Sequence, residues 1–367
     1  MPAFEPDRIT DLLTSATADG TLRHSRRKRR GARFVATVLV GALLLVIAGG
    51  AGALWVYQLS INNNIERLED PFAAIDEATR PSAAPSDPAA PFAAMNILVL
   101  GSDSRISAGD PSQWQAGAQR TDAIMLVHLP ADRQSAQVMS IPRDSWVPIP
   151  GYGDAKINAA FSWGGPSLMI QTVEQLTGVR IDHFAVTDFV SFTTLTDALG
   201  GVDILIPEDV GSGDTFFAAG EYTMSGEQAL VYARERYGLA NGDFGRVQRQ
   251  QNWMRAILAK ANTQKDDLGA MTRLVEAFSR SVTVDEGFTF NEMTQLALSA
   301  ADLSISDVTF MTAPYSGTGR SPDGGQSIVL LDRPRFDPLM AAVAGDTVAT
   351  YIGEHPGELT VLPAIVK

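Results

Sequence analysis

Phe34 to Tyr57 is a run of 24 residues without a charge, and the block directly ahead of it, Arg23 to Arg33, is strongly basic. As a helix the run reaches about 36 Å at 1.5 Å per residue, enough to cross a hydrocarbon core of roughly 30 Å. Basic residues before it, with Trp55 and Tyr57 at its far side, orient it with the N-terminus in the cytoplasm. The expectation is a single-pass cell-membrane protein. It has a cytoplasmic basic tail over 1–33, a transmembrane helix over 34–57 and an extracytoplasmic body. Ala51 to Ala53 resembles a small-residue cleavage site, which opens the competing reading of a cleaved signal peptide. Against that reading, the apolar run exceeds the usual signal-peptide core and follows a large basic block. Residues 58–94, Pro- and Ala-rich from Arg80 to Pro91, read as a linker that stands the body off the bilayer.

The charge is uneven. Residues 1–33 hold eight Lys/Arg against four Asp/Glu, leaving 21 against 38 beyond them, so the net −13 of the chain becomes −17 for the remainder. A body that acidic excludes a general nucleic-acid binder. The absence of cysteine excludes a disulfide framework, a thiolate metal site and a cysteine nucleophile. From Met95 short apolar runs alternate with helical patterns. Strands are predicted at 96–101, 123–129, 136–141, 183–187, 202–206, 308–312 and 327–331. Helices are predicted at 165–176, 188–199, 225–233 and 244–261, then near 268–280, 290–300 and 334–344. That alternation points to one α/β domain with a mixed sheet, its core at 95–262 and its completion at 263–367.

Against the acidic background, Arg234, Arg236, Arg246, Arg249 and Arg255 crowd into about two dozen residues, opposed only by Glu235 and Asp243. Arginine at every one of these positions favours planar, multi-donor recognition of phosphate or carboxylate oxygens. Asp243 can cap a helix whose Arg246, Gln250, Trp253 and Ile257 share one face. The plain alternative is a solvated arginine-rich face. Three further polar clusters sit at strand ends: Ser102 to Arg105, Arg120 to Asp122, and Pro142 to Asp144. If the strands at 123–129 and 136–141 form a hairpin, and the first strand runs antiparallel to the second, all three clusters fall on one sheet edge. Asp103 and Asp122 are then neighbours. Two close carboxylates are relieved either by a hard cation such as Mg²⁺ or by pairing with Arg105 and Arg120. Lys156 and Asn158, in the turn-rich stretch from Pro148, are candidate phosphate or sugar contacts with equally good structural readings. The four histidines show no ligand or triad spacing. Phe184, Phe189, Phe192 and Leu195 read as core.

Asp103 to Arg105, Arg120 to Asp122, Ser140 to Asp144, Lys156 to Ala160, Ala198 to Val202, and Arg234 to Arg236 with Asp243 to Gln251 occur in that order over residues 95–255. Together with the anchor upstream, this series resembles the LytR-CpsA-Psr family. The resemblance implies a three-layer α/β/α extracytoplasmic domain that holds a polyprenyl pyrophosphate, its isoprenoid tail between sheet and helices. It implies a phosphotransferase that moves a glycopolymer from an undecaprenyl pyrophosphate carrier to a peptidoglycan hydroxyl. Teichoic acid, capsule and arabinogalactan all fit as the donor. Asp103 and Asp122 would bind Mg²⁺, while Arg105, Arg120, Arg143, Lys156, Arg234, Arg236, Arg246 and Gln250 would contact the pyrophosphate. Arg120, Arg143, Asp144 and Arg246 are the candidate catalytic residues. Asp144 is the general-base candidate, against a salt-bridge role that orients Arg143. Two rival activities stay open: a non-catalytic binder of lipid carriers that regulates envelope assembly, and a lipid pyrophosphatase.

Overall fold

The computed structural model describes residues 58–86, 88–102, 121–235 and 243–366. The basic tail and the apolar run at 34–57 lie outside the described residues, and among the described residues no helix is long and apolar enough to cross a membrane. From Ser60 onward the chain forms one compact unit. In chain order its strands and helices are β1 (Glu66–Leu68), β2 (Met95–Ser102), β3 (Thr121–Leu129), β4 (Ala136–Ser140), β5 (Trp146–Ile149), β6 (Gly153–Lys156), α1 (Asn158–Thr177), β7 (His183–Asp188), α2 (Phe189–Ala198), β8 (Val202–Ile206), β9 (Gly220–Met224) and α3 (Gly226–Arg234). They continue with α4 (Asp243–Thr263), α5 (Leu268–Ser279), β10 (Val282–Asp285), α6 (Phe290–Ser299), β11 (Val308–Thr312), β12 (Tyr315–Arg320), β13 (Ser327–Leu331), α7 (Arg333–Ala344), α8 (Val348–Glu354) and β14 (Thr360–Val361).

Eight strands form one mixed sheet in the order β1-β10-β7-β2-β3-β4-β11-β14. β2 is parallel to β7 and antiparallel to β3, β3 is antiparallel to β4, and β4 is parallel to β11. The carboxyl ends of β2, β4, β7 and β11 therefore meet at one edge, together with the start of β3. β3 and β4 are the expected hairpin, and β2 runs antiparallel to β3 as the edge argument requires.

Strand alternation sends Leu98, Leu100, Ile124, Leu126 and Met139 to one face, where they pack on Phe161, Met169, Ile170 and Val173 of α1 and Phe336, Leu339 and Met340 of α7. The opposite face, with Met125, Val138 and Phe310, carries a much smaller cluster. Beyond it a separate core joins α2, α3 and α4 to the β8–β9 hairpin through Val202, Ile204, Tyr232, Trp253 and Ile257. The sheet thus has helices on both sides, packed tightly on one and loosely on the other.

Three stretches fold differently from the sequence expectation. α1 begins at Asn158, seven residues before the expected start, because Gly165 (φ 65°, ψ −155°) and Pro166 break it into two pieces. The loop expected from Pro148 is instead the β5–β6 hairpin, turned by Gly151 and Gly153, both at φ 79°. The third difference corrects the boundary of the 58–94 linker. β1 joins the main sheet in parallel with β10, and Leu68 and Ile75 belong to the α1-side core. Arg80 reaches the buried carboxylate of Glu174 at 2.7 Å and donates to the Ile181 carbonyl at 2.6 Å. Pro and Ala dominate the composition of this stretch, but Ile61, Ile65, Leu68, Phe72 and Ile75 recur every three or four residues, a packing signal the composition hid.

Breaking a buried ion pair leaves an uncompensated charge. Arg80→Ala strands Glu174, itself 2% exposed, and is expected to cost about 3–5 kcal/mol in chemical denaturation. Exposed Lys265→Ala, in contrast, should leave stability within about 0.5 kcal/mol of the parent.

Candidate functional site

The geometry of the edge follows from the β3–β4 register. Leu126 lies opposite Met139 and Met125 opposite Ser140, and the Ile141 N–H continues the ladder onto the Ile124 carbonyl. Carried two residues further, the same register sets Arg143 opposite Asp122. The two side chains form an ion pair there. Opposite charges facing each other across neighbouring strands are the arrangement that stabilises a sheet edge without apolar burial.

Asp144 is held on three sides. Its carboxylate accepts from the Lys156 ammonium at 2.9 Å and lies 3.9 Å from the Arg143 guanidinium, while its carbonyl accepts from the Val329 N–H at 2.8 Å. Lys156 ends β6, and the Asn158 N–H donates to the Arg143 carbonyl at 3.2 Å, so the hairpin returns to the residues it left. Asp122, Arg143, Asp144, Lys156 and the backbone of Asn158 are one cluster. Next to it, Asp188 closes β7 opposite Ser102 and caps α2 by accepting from the Ser191 N–H at 2.6 Å. The sequence reading did not count Asp188 as a site residue; its signal was a carboxylate falling between a strand and a helix.

α4 supplies the other wall. Gln251 donates to the Ser140 hydroxyl at 2.8 Å and to the Met311 carbonyl at 2.7 Å, which pins the helix across the ends of β4 and β11. Phe244 stacks on Tyr315 with ring centroids 4.0 Å apart. Gln250 meets Gly101 and Asp188 at the ends of β2 and β7. α4 runs inward from the strand ends, with Gln250 by Gly101 and Met254 by Met125, so Arg246, one turn or about 6 Å before Gln250, lies on the strand-end side. Its side chain is 4% exposed.

The arginine patch is narrower than its sequence density suggests. Arg249 turns into the core, its guanidinium 5.2 Å from the Tyr232 ring centroid and donating to the Glu235 carbonyl at 3.3 Å; burial pulls its pKa down. Arg255 donates to the Pro363 and Ala364 carbonyls at 2.8 and 2.9 Å, tying down the C-terminal segment. Both face away from the edge because α4 turns them about its axis. Arg234 ends α3 at the surface beside the first turns of α4. Asp103, Arg105, Arg120 and Arg236, and the cap expected of the Asp243 side chain, fall outside the described residues.

Behind the polar edge lies an apolar slot. Gly101, Ala123 and Met125 form its sheet wall, and Phe192, Trp253 and Met254 its helix wall, with Asp188 and Gln250 its polar residues. One face of α4 thus grades from Arg246 through Gln250 to Trp253. The slot encloses a cavity of about 20 Å³, room for about one water. Of the phenylalanines expected in the core, Phe192 lines this slot and Phe184 packs on the opposite face of the sheet. The described histidines are engaged elsewhere: His128 with Asn96 and Asp346, His183 with Asp285, His355 on Tyr351.

Fold and edge together define a mixed-sheet α/β protein with a charged strand edge that opens onto an apolar slot. Over residues 69–341 the chain matches the LytR_cpsA_psr family model, and it belongs to that family. It is 31% identical over 279 residues to the cell wall biosynthesis protein LcpA of Corynebacterium glutamicum, covering 65% of this chain and 53% of that one. It is 34% identical over 283 residues to the same organism's probable cell wall biosynthesis protein LcpB, covering 74% and 64%. The chain therefore matches between half and two thirds of the length of these curated relatives. Among solved structures, the LytR-Csp2A-Psr enzyme from Actinomyces oris superposes with a TM-score of 0.57 at 22% identity, over 76% of this chain and 96% of that one, and so shares the fold.

The slot's width gives a direct test. Ala123→Phe should fill it and weaken binding of a small apolar probe such as decanol at least about tenfold, or 1.4 kcal/mol, in a direct binding titration.

Proposed function

We propose that this protein transfers a glycopolymer from a polyprenyl pyrophosphate carrier to a peptidoglycan hydroxyl, leaving the polymer attached by a phosphodiester and releasing polyprenyl phosphate. The supporting observation is the graded face of α4: a buried arginine at the strand edge, then an amide, then tryptophan and methionine walling an apolar slot. A ligand with an anionic head and an apolar tail matches that gradient. Membership of a family whose relatives LcpA and LcpB are cell wall biosynthesis proteins supports the same reading.

Affinity and rate come from the head group. Burying a CH₂ from water gains about 0.8 kcal/mol, but this lipid arrives from a bilayer just as apolar, so the slot positions the tail. Hydrogen bonds to charged groups contribute roughly 1.5–3 kcal/mol each, and Arg143, Arg246, Lys156 and Gln250 supply several. The Asp122 carboxylate holds Arg143 aimed at the edge until phosphate oxygens compete for the same donors. With Arg143 and Arg246 on the non-bridging oxygens, charge developing in an in-line displacement is met by fixed donors in a partly dry site.

Asp122, Asp144 and Asp188 reach the edge, each with a partner, and no cluster of three or more metal-ligating side chains forms among the described residues. That set suits a Mg²⁺ that takes one or two carboxylates and completes its shell with substrate oxygens, rather than a closed protein cage. Asp122, together with the sequence candidate Asp103, would hold the ion, which would supply charge neutralisation at the pyrophosphate. Asp144, fixed between Lys156 and Arg143, orients both cations and is also the carboxylate available to take the acceptor's proton.

The experiment is reconstitution of the purified protein with lipid-linked glycan, Mg²⁺ and peptidoglycan. Covalent glycan on the wall polymer supports transfer; bound lipid without turnover, or free glycan phosphate, would replace it with a binding or hydrolytic role. Arg143→Ala should lower transfer by about 10²–10³-fold with the fold retained, the loss of the Asp122 pair lowering the melting temperature by only a few degrees. For Asp144→Asn, a lowered kcat with a flattened pH profile marks proton transfer, and a raised KM alone marks orientation of Arg143.

A further inference from the structure

The β5–β6 hairpin leaves the site at Asp144 and returns to it at Lys156, and its tip carries an exposed aromatic platform. Tyr152 stacks on Trp163 of α1 with ring centroids 5.1 Å apart and planes 29° from parallel. Both rings remain open, Tyr152 57% exposed and Trp163 39%. The presentation is built in: Tyr152 sits between Gly151 and Gly153, both at φ 79°, where a side chain would meet nothing within 4 Å. The break at Gly165 and Pro166 ends the helical piece that carries Trp163. At about 3.3 Å per residue, the four residues of β5 place the platform roughly 13 Å from the charged cluster.

We propose that the Tyr152–Trp163 pair is a glycan subsite that takes pyranose rings of the donor's sugar chain beyond the pyrophosphate. Sugar rings offer an apolar C–H face that stacks on aromatic faces, and Tyr and Trp give large contact area with a polar edge beside it. The exposed Asp154 next to the platform accepts from sugar hydroxyls. The donor is the occupant because the hairpin is continuous with the residues that hold its head group, so a chain growing outward from the pyrophosphate meets the tip. A bilayer surface fits worse. Between Asp144 and Arg180 the chain has one cationic side chain, Lys156, and that is paired with Asp144, so the segment that carries the platform brings no second cation for an anionic headgroup.

This inference rests on the pyrophosphate reading of the strand edge, so its test separates the two. Dissociation constants of the full-length protein are measured for three probes: a polyprenyl pyrophosphate bearing one sugar, the same lipid bearing an oligosaccharide, and the free oligosaccharide. The wild type should bind the longer lipid about tenfold tighter than the one-sugar lipid. Trp163→Ala and Tyr152→Ala should erase that difference and lose the free oligosaccharide, while one-sugar affinity and melting temperature are unchanged; Tyr152→Phe should keep both. Arg143→Ala should weaken both lipids and spare the free oligosaccharide. If Arg143→Ala changes nothing while the aromatic variants lose the oligosaccharide, the head-group reading fails and the glycan subsite stands. The subsite is overturned if the wild type shows no gain from the longer glycan, if the alanine variants retain it, or if they instead lose binding to phosphatidylglycerol vesicles.

Discussion

Asp122 and Arg143 face each other because a loop of six residues, Pro130 to Ser135, joins β3 to β4 in a single register. Strand side chains alternate, so a one-residue slip would send Arg143 to the other face and leave Asp122 opposite a different partner. The loop resists such a slip. Arg133 takes a left-handed conformation (φ 55°), its N–H donates to the Pro130 carbonyl at 3.0 Å, and its guanidinium donates to the Leu129 carbonyl at 3.2 Å. The geometry of the charged edge is therefore decided six or more residue pairs away, at the far end of the hairpin.

The slot has a comparable origin in packing. One sheet face is sealed by α1 and α7 into a continuous core, while the other carries a small cluster that does not fuse with the core of α2, α3 and α4. An unfused seam between two apolar layers is where an apolar chain can be accommodated. Its walls include Met125 and Met254, unbranched side chains that fit irregular gaps, and the seam as it stands is wide enough for about one water. Charge at the edge and softness behind it suit a ligand that is ionic at one end and oily along its length.

Much of this was legible before the coordinates. Apolar runs located β2, β3, β4, β7, β8 and β11, and the three-and-four spacing of Arg246, Gln250, Trp253 and Ile257 identified the inward face of α4. The meeting of Asp122 with Arg143 followed from the hairpin, while Asp103, Arg105 and Arg120 lie outside the described residues. Arg249 and Arg255 misled because local arginine density says nothing about direction: one residue before and five after Gln250, they lie about 100° and about 140° around the helix from it. Residues 66–81 were hidden by proline-rich composition, although the apolar spacing was present. The β5–β6 hairpin was missed because its strands are four residues each, too short for alternation to register.

What the amino-acid sequence determines by itself is local and periodic: which segments are strands or helices, which face of each is apolar, and which residue types lie at their ends. Those properties follow from backbone geometry and side-chain spacing, and they suffice to identify the family. Tertiary structure decides which ends meet. Only the sheet order brings β7 beside β2, setting Asp188 next to Ser102. Only the docking of α4 across Ser140 and Met311 selects Arg246 for the edge, and only the stacking of a hairpin tip on a neighbouring helix joins Tyr152 to Trp163. The first two join segments far apart in the chain and the third joins a hairpin tip to the helix that follows it; each is set by competition for buried area across the whole domain, and no local pattern encodes its outcome.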